Sequence, residues 1–356
     1  MSEPLIAIDA RLAAGASTGD SSYWSGLLYG LSRISPPARF LLYSNASRPP
    51  GIPDIDRFQW ITIPGSNLRW WNLVSLPLAV RRAGASVLHT QYNLSPLAGR
   101  TGVTTIHDVS FFIGPEWFRP RDLFVLRRFV PASVRRARRV LTVSEMSKSE
   151  IETFIPASRG KTVVTPNACP IHINPQSGVD VRAQFSLQGP FLLTVGTRWP
   201  RKNMQLAVDA AAGARYPLVV TGKPGWGDES FPPNVTATGY VDDDTLSALY
   251  CQASLYLAPS RHEGFGMPLL EAFACGCPVL CSSGGALPEV AGNAAVVMQT
   301  WEVTAWTSAI AGLMEDSSKL DDLRRRGRER VAQFSWDETA RLTMEAYRQV
   351  AMENGS

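Results

Sequence analysis

No stretch of this 356-residue chain approaches the roughly 20 uncharged apolar residues that a membrane-crossing helix needs. No spanning segment is therefore expected. Charge is also sparse: charged residues make up 19% against 45% apolar, which excludes a disordered, self-repelling chain. Cysteine is scarce and odd in number. Of Cys169, Cys251, Cys275, Cys277 and Cys281, the last three crowd together as C-x-C-x3-C. That spacing does not match the paired ligands of a zinc site, so buried, reduced thiols are expected, and with them a cytoplasmic setting. The opening "MSEPLIAIDAR" carries an acid at position 3 and an aspartate directly after its short apolar run, which suits a first strand rather than a signal peptide. Low-complexity segments and short-period repeats are lacking too.

What is present is length enough for two ordinary domains. Charge is unevenly spread: residues 1–175 carry a balance of +9 and the remainder −5. A basic front half suits a phosphorylated substrate, nucleic acid or an anionic lipid surface. Short β-rich runs occur at 5–9, 39–44, 59–63, 87–90, 104–108, 139–144 and 161–165, with helical patterns between most of them. After a polar stretch at 166–190 the series restarts at 191–196, 217–222, 234–239, 254–260, 278–283 and 294–298. Strands alternating with helices predict parallel sheets covered on both faces, an α/β class. Two series with a break predict two doubly wound domains, whose ligands bind at the carboxyl ends of the strands. Residues 335–350 predict a final helix with a serine or aspartate N-cap.

Two glutamates flank a glycine-broken turn in "RHEGFGMPLLEAFACGCPVL". Gly264 and Gly266 allow close backbone approach, and Pro268 suits a first helical turn. Free N–H groups near residues 265–269, at the positive end of a helix, make an anion site whose natural occupant is a phosphate. Glu271, one turn further, either accepts hydrogen bonds from a vicinal diol such as a ribose or caps its own helix. Glu263 precedes the turn and could reach past the phosphates. Arg198, Arg201 and Lys202, after the strand "FLLTVG", either bind a diphosphate or form a solvated basic loop. His107 and Asp108 end the strand "VTTIHD"; they belong either to a site or to the packing.

The segment "EGFGMPLLEAFACGCPVLCSSGGALPEVAGNAAVV" resembles the donor-binding segment of retaining glycosyltransferases of family 4, which have the GT-B fold. "VGTRWPRKNMQLAVDA", "TGYVDDDTLSALYCQASLYLAPS", "TIHDVSFFIGPEWF", "RRVLTVSEMSKSEI" and "FSWDETARLTMEAYRQV" resemble successive parts of the same family, from about residue 87 onwards. The resemblance implies an acceptor-side Rossmann-like domain at 1–170 and a nucleotide-sugar-binding one at 171–334, facing across a cleft. A C-terminal helix at 335–356 returns to the first domain. It implies that Glu271 holds the nucleotide ribose and that Glu263 lies by the donor sugar as a catalytic group. The backbone of Gly264, Phe265, Gly266, Met267 and Pro268 would touch sugar and diphosphate. Lys202, with Arg198 or Arg201, would neutralise the diphosphate. The base would lie near Gly222, Lys223, Tyr240 and Val241. His107 would act against the sugar, with Asp108 beside it.

Two departures stand out. Many members carry a glycine-rich turn after the first strand, whereas "STGDSSYWSGL" keeps only Gly19 and offers Asp20, Ser21 and Ser22, a loop that could serve the acceptor. Thr197 stands where many members place arginine. The implied reaction moves a hexosyl group, with retention and without a divalent metal or other cofactor, from a nucleoside diphosphate sugar to a saccharide or lipid-linked acceptor. The donor loop also holds no DxD-type acidic pair. The "HD…PEWF" segment is closest to members acting in surface-polysaccharide assembly, which favours GDP-mannose. Rival readings are a phosphorylase or synthase of the same fold, and a non-catalytic sugar-nucleotide-binding protein. Eight arginines between Arg119 and Arg139, interleaved with Phe124, Val125, Leu126 and Phe129, form either a solvated helix face or a patch for the inner, anionic face of a membrane. Nucleic acid is not an expected partner.

Overall fold

A computed structural model of the chain describes residues 3–14, 19–225 and 231–355. They form two compact units, one of residues 1–171 with 335–356, the other of 172–334. The N-terminal unit holds seven strands: β1 (Leu5–Asp9), β2 (Arg39–Ser44), β3 (Phe58–Thr62), β4 (Val87–Gln91), β5 (Gly102–Thr105), β6 (Arg139–Thr142) and β7 (Thr162–Val164). Every pairing is parallel, in the order β3-β2-β1-β4-β5-β6-β7. The C-terminal unit holds β8 (Leu192–Val195), β9 (Leu218–Thr221), β10 (Val235–Gly239), β11 (Leu255–Ala258), β12 (Val279–Ser282) and β13 (Ala295–Met298). These are again parallel, in the order β10-β9-β8-β11-β12-β13.

Burial explains the composition of the strands. β1, β4 and β5 are almost wholly buried, as are β9, β11 and β12. Such strands read as continuous apolar runs rather than alternating ones, because helices cover both faces of a parallel sheet. The strand order reverses between β1 and β4 in one unit and between β8 and β11 in the other. In open parallel sheets such a point is where a ligand crevice lies, at the carboxyl ends of the strands.

The last helix, Trp336–Gly355, belongs to the N-terminal unit and starts with Ser335 Oγ accepting from Glu338 N. It packs on the helix Gly19–Ile34, which presents Gly26 and Gly30 to it. A Cβ at Gly26 would come within 2.1 Å of the Trp336 ring, so only glycine admits this approach. The buried His89 ties the same helix to the sheet, with Nδ1 2.5 Å from Tyr347 Oη and Nε2 2.7 Å from Thr105 Oγ1. Burial, with the nearby His107, pushes its pKa down to about 3, so it packs as a neutral ring.

Some boundaries differ from the sequence reading. β5 ends at Thr105, so His107 and Asp108 lie in the loop beyond the strand rather than within it. The residues after β1 do not form a loop throughout: Gly19 opens a helix in which Ser21 and Ser22 are buried. Ser17 and Thr18 of that stretch lie outside the described residues. Cys277 and Cys281 are buried as expected, but Cys169, Cys251 and Cys275 are only half-buried. Among the described residues no helix is long and apolar enough to cross a membrane.

Candidate active site

The crevice of the C-terminal unit is walled by the loops after β8 and β11. The first makes a tight turn at Pro200–Lys202, ends in the left-handed Asn203, and leads into the helix Met204–Ala214. One backbone and one side-chain bond stitch the two loops together: Arg261 N donates to Arg201 O at 2.8 Å, and Arg201 Nη1 to His262 O at 2.6 Å. Glu263 then receives both cations of the first loop. Arg201 Nη1 lies 2.8 Å from its Oε2 and Lys202 Nζ 2.7 Å from its Oε1, while Ser260 Oγ donates to Oε1 at 2.7 Å. All three charged side chains are largely buried.

Burial alone would raise the Glu263 pKa. Lys202 and Arg201 more than offset it and hold the carboxyl well below the usual range, so it is ionised. Arg201 and Lys202 thus share one carboxylate. Arg198 instead lies over the Phe231 ring, 5.2 Å from its centroid.

Beyond Glu263, Gly264, Phe265 and Gly266 turn the chain into the helix Met267–Ala274. Gly266 has φ +102°, a region closed to side chains, and so forms the non-helical entry. Pro268 sits in the first turn. Of the expected N–H donors near 265–269, Pro268 has none and Leu269 N already donates to Gly266 O. The amides of Phe265, Gly266 and Met267 donate to no group among the described residues. They lie at the positive end of the helix, a place that favours an anion. Phe265 itself is buried and meets Phe334 edge-on, anchoring the turn.

Glu271 lies on the buried face of this helix, 8% exposed. Its Oε2 accepts from Tyr250 Oη at 2.8 Å, and it makes no cap to its own helix. The capping alternative is thus not what the structure holds. Burial pushes its pKa up to about 7, against the opposing pull of the Tyr250 hydroxyl and the Lys202 charge. The pKa values of two buried glutamates eight positions apart are therefore shifted in opposite directions.

Gly222 follows β9, with its backbone against Gly196, where a Cβ would meet Gly196 O at 2.1 Å. Lys223 Nζ lies 5.1 Å from the centroid of the Tyr240 ring, which is 54% exposed, and Val241 follows it after β10. These residues gather at the carboxyl edge of β9 and β10, on the same edge as the two loops above.

In the N-terminal unit, His107 is partly buried beside the Tyr23 ring, 4.8 Å between centroids. Its Nε2 is 3.8 Å from Asp20 Oδ1, just inside the helix that Gly19 opens. Burial lowers the His107 pKa, with Asp20 and Asp108 opposing. Asp108 Oδ1 accepts from Ser110 N and Ser110 Oγ at 2.9 and 2.6 Å, so the carboxylate organises the turn into the helix Ser110–Ile113. Sequence reading missed Tyr250 and the Asp20–His107 approach, because no local signal links residues so far apart in the chain, and it missed Ser260, three positions before Glu263, because nothing in the loop marks which way its hydroxyl turns.

The chain is similar to proteins of known class. Residues 34–172 match the profile of "Glycosyltransferase Family 4" and residues 181–330 that of "Glycosyl transferases group 1". O-antigen chain mannosyltransferase B of Escherichia coli is 34% identical over 267 residues, 69% of this chain and 70% of that protein. The chain belongs to glycosyltransferase family 4. O-antigen chain mannosyltransferase RfbU of Salmonella typhimurium is 26% identical over 275 residues, 74% of each chain. Sucrose-phosphate synthase from Thermosynechococcus elongatus superposes with a TM-score of 0.75 at 21% identity, over 99% of this chain and all of that one. At that identity the likeness establishes the GT-B fold alone. This family 4 protein is thus a glycosyltransferase of mannosyltransferase-like type.

Proposed function

We propose that this glycosyltransferase moves mannose from GDP-mannose, with retention at the anomeric carbon and without a metal ion, to a saccharide or lipid-linked acceptor. The observation that carries the reading is the cluster of Arg201 and Lys202 on Glu263, next to the three free amides of the 265–267 turn. When the glycosidic bond to the diphosphate breaks, negative charge builds on the leaving phosphate. Preorganised cations and amides suit that charge because they need no reorientation as it grows. The Glu263 carboxylate holds the two cations in place and supplies negative charge where the sugar becomes cationic. Glu271 accepts from the ribose hydroxyls. Lys223 and Tyr240, with Gly222 and Val241, take the base. His107 and Asp108 act on the sugar side, and Gly19 with Asp20 on the acceptor side.

The names of the two O-antigen mannosyltransferases support mannose as the sugar. Arg201 and Lys202 beside the amide turn support metal independence, since fixed cations and N–H donors can offset growing phosphate charge without an ion. The exposed Phe124, Val125 and Phe129 on the helix Pro120–Arg136 support work at the inner, anionic face of a membrane, where sedimentation with anionic but not neutral vesicles is the check.

A donor screen with product analysis by nuclear magnetic resonance tests the reading. GDP-mannose should turn over with an α-linked product, and EDTA should leave the rate almost unchanged. Turnover only with another donor, a β-linked product, or complete loss with EDTA would each remove the corresponding part. Nucleotide binding with no turnover on any acceptor would favour a non-catalytic sugar-nucleotide binder.

A further inference from the structure

The carboxyl edge of the N-terminal sheet carries His107, but the amino edge carries a second feature. Around the starts of β5, β6 and β7 lies a cavity of about 480 Å³ lined by Arg100, Arg135, Arg136, Arg138, Arg139, Lys161 and Glu353. Six cations thus share one carboxylate. Three of the six are already engaged. Lys161 Nζ donates to Val134 O at 2.7 Å and Ala137 O at 2.9 Å, closing the end of the helix Pro120–Arg136. Arg139 takes Glu353 at 2.6 Å and Gln349 at 3.0 Å, and Arg138 lies 3.8 Å from Glu353. For the guanidinium groups of Arg100, Arg135 and Arg136, the described residues supply no hydrogen bond, ion pair or ring.

A solvated helix end explains one or two arginines in a last turn, where cations offset the helix dipole. Here Lys161 already neutralises that end, and the remaining guanidinium groups rim a cavity of small-ligand size. Crowding is felt within it: burial and then the Arg138 charge lower the Lys161 pKa. An anion in the cavity would relieve that repulsion. Guanidinium forks match the oxygens of a phosphoryl group in paired hydrogen bonds, better than they match a lone carboxylate oxygen or chloride.

We propose that this cavity is a phosphate-binding site on the amino edge of the N-terminal sheet, taking a phosphate mono- or diester through Arg100, Arg135 and Arg136. The site stands whether or not the donor is GDP-mannose. Its phosphate could belong to a soluble compound or to a lipid headgroup, and two probes separate these: inorganic pyrophosphate by calorimetry and phosphatidylglycerol vesicles, against phosphatidylcholine, by sedimentation.

The full chain is compared with Arg135→Ala/Arg136→Ala, with Arg121→Ala/Arg128→Ala as an equal charge loss elsewhere on the same exposed helix, and with Lys202→Ala to remove the donor-side anion site. Circular dichroism confirms that each variant folds. The expected result is binding of at least one probe that survives Lys202→Ala and weakens at least about tenfold in the Arg135/Arg136 variant, the worth of one charged hydrogen bond. The Arg121/Arg128 variant should retain it. Binding of pyrophosphate assigns a soluble anion and binding of vesicles alone a lipid phosphate. Failure of both probes, loss of all binding in Lys202→Ala, or equal weakening in the two arginine doubles overturns the site.

Discussion

Glu263 and Glu271 stand at the two ends of one short run of chain, and the fold treats them in opposite ways. Both are buried, so desolvation raises the pKa of each. Glu263 meets two cations from the loop after β8 and stays ionised; at Glu271 the tyrosine hydroxyl only partly offsets burial, which pushes the carboxyl up to about 7. Burial prevails at Glu271 and is overcome by charge at Glu263. The first glutamate is a fixed charge that organises cations, and the second is a carboxyl whose ionisation a ligand can recruit.

Removing the fixed charge should have the largest effect. Glu263→Gln keeps the shape and strands Arg201 and Lys202 as buried cations, a loss that costs about 3–5 kcal/mol in comparable buried pairs. Turnover should fall by about 10²–10³, as for other groups that stabilise transition-state charge. Saturating nucleoside diphosphate should restore much of the lost melting temperature, because its phosphates re-pair the cations. Unchanged turnover and stability in this variant would erase the contrast between the two sites.

The second effect is a pH dependence that the two glutamates give opposite signs. Glu271 has a folded pKa above its unfolded value. Between pH 4.5 and 7 the unfolded chain therefore loses a proton that the folded chain keeps, so stability falls as pH rises across that window and is level above it. The full penalty is about 3 kcal/mol. Glu263 has a depressed folded pKa, so its contribution is present above about pH 4.5 and is lost as pH falls below it. Thermal melts from pH 4 to 8 should show Glu271→Gln gaining on the parent chain as pH rises from 4.5 to 7. A constant difference across that range would mean that Glu271 is ionised throughout.

Much of this was legible in the sequence. The thirteen strands fall where β-rich runs occur, because a sheet buried on both faces demands continuous apolar residues. The glycine-broken turn and Pro268 announced the helix start beyond Glu263. What linear spacing could not reveal is who pairs with whom. Arg201 and Glu263 lie 62 positions apart and meet only because β11 enters the sheet beside β8. Tyr250 reaches Glu271 from the neighbouring helix, and Asp20 approaches His107 from the far side of β1. Strand order is a property of the folded sheet, and the meeting of Arg201 with Glu263 rests on it. Asp108 was legible as a residue near a site, but its hydrogen bonds to Ser110 show a structural duty that the pair "HD" does not encode.

Calorimetric titration of GDP into the parent chain, Glu263→Gln and Glu271→Gln tests the central claim most directly. Glu263→Gln frees Lys202 and Arg201 from a competing carboxylate, so it should bind GDP at least as tightly as the parent. Glu271→Gln loses the charged acceptor for the ribose diol and should bind more weakly, by about 1.5–3 kcal/mol. Equal affinities in the two variants, or weakening in Glu263→Gln alone, would contradict the assignment of one glutamate to the cations and the other to the ribose.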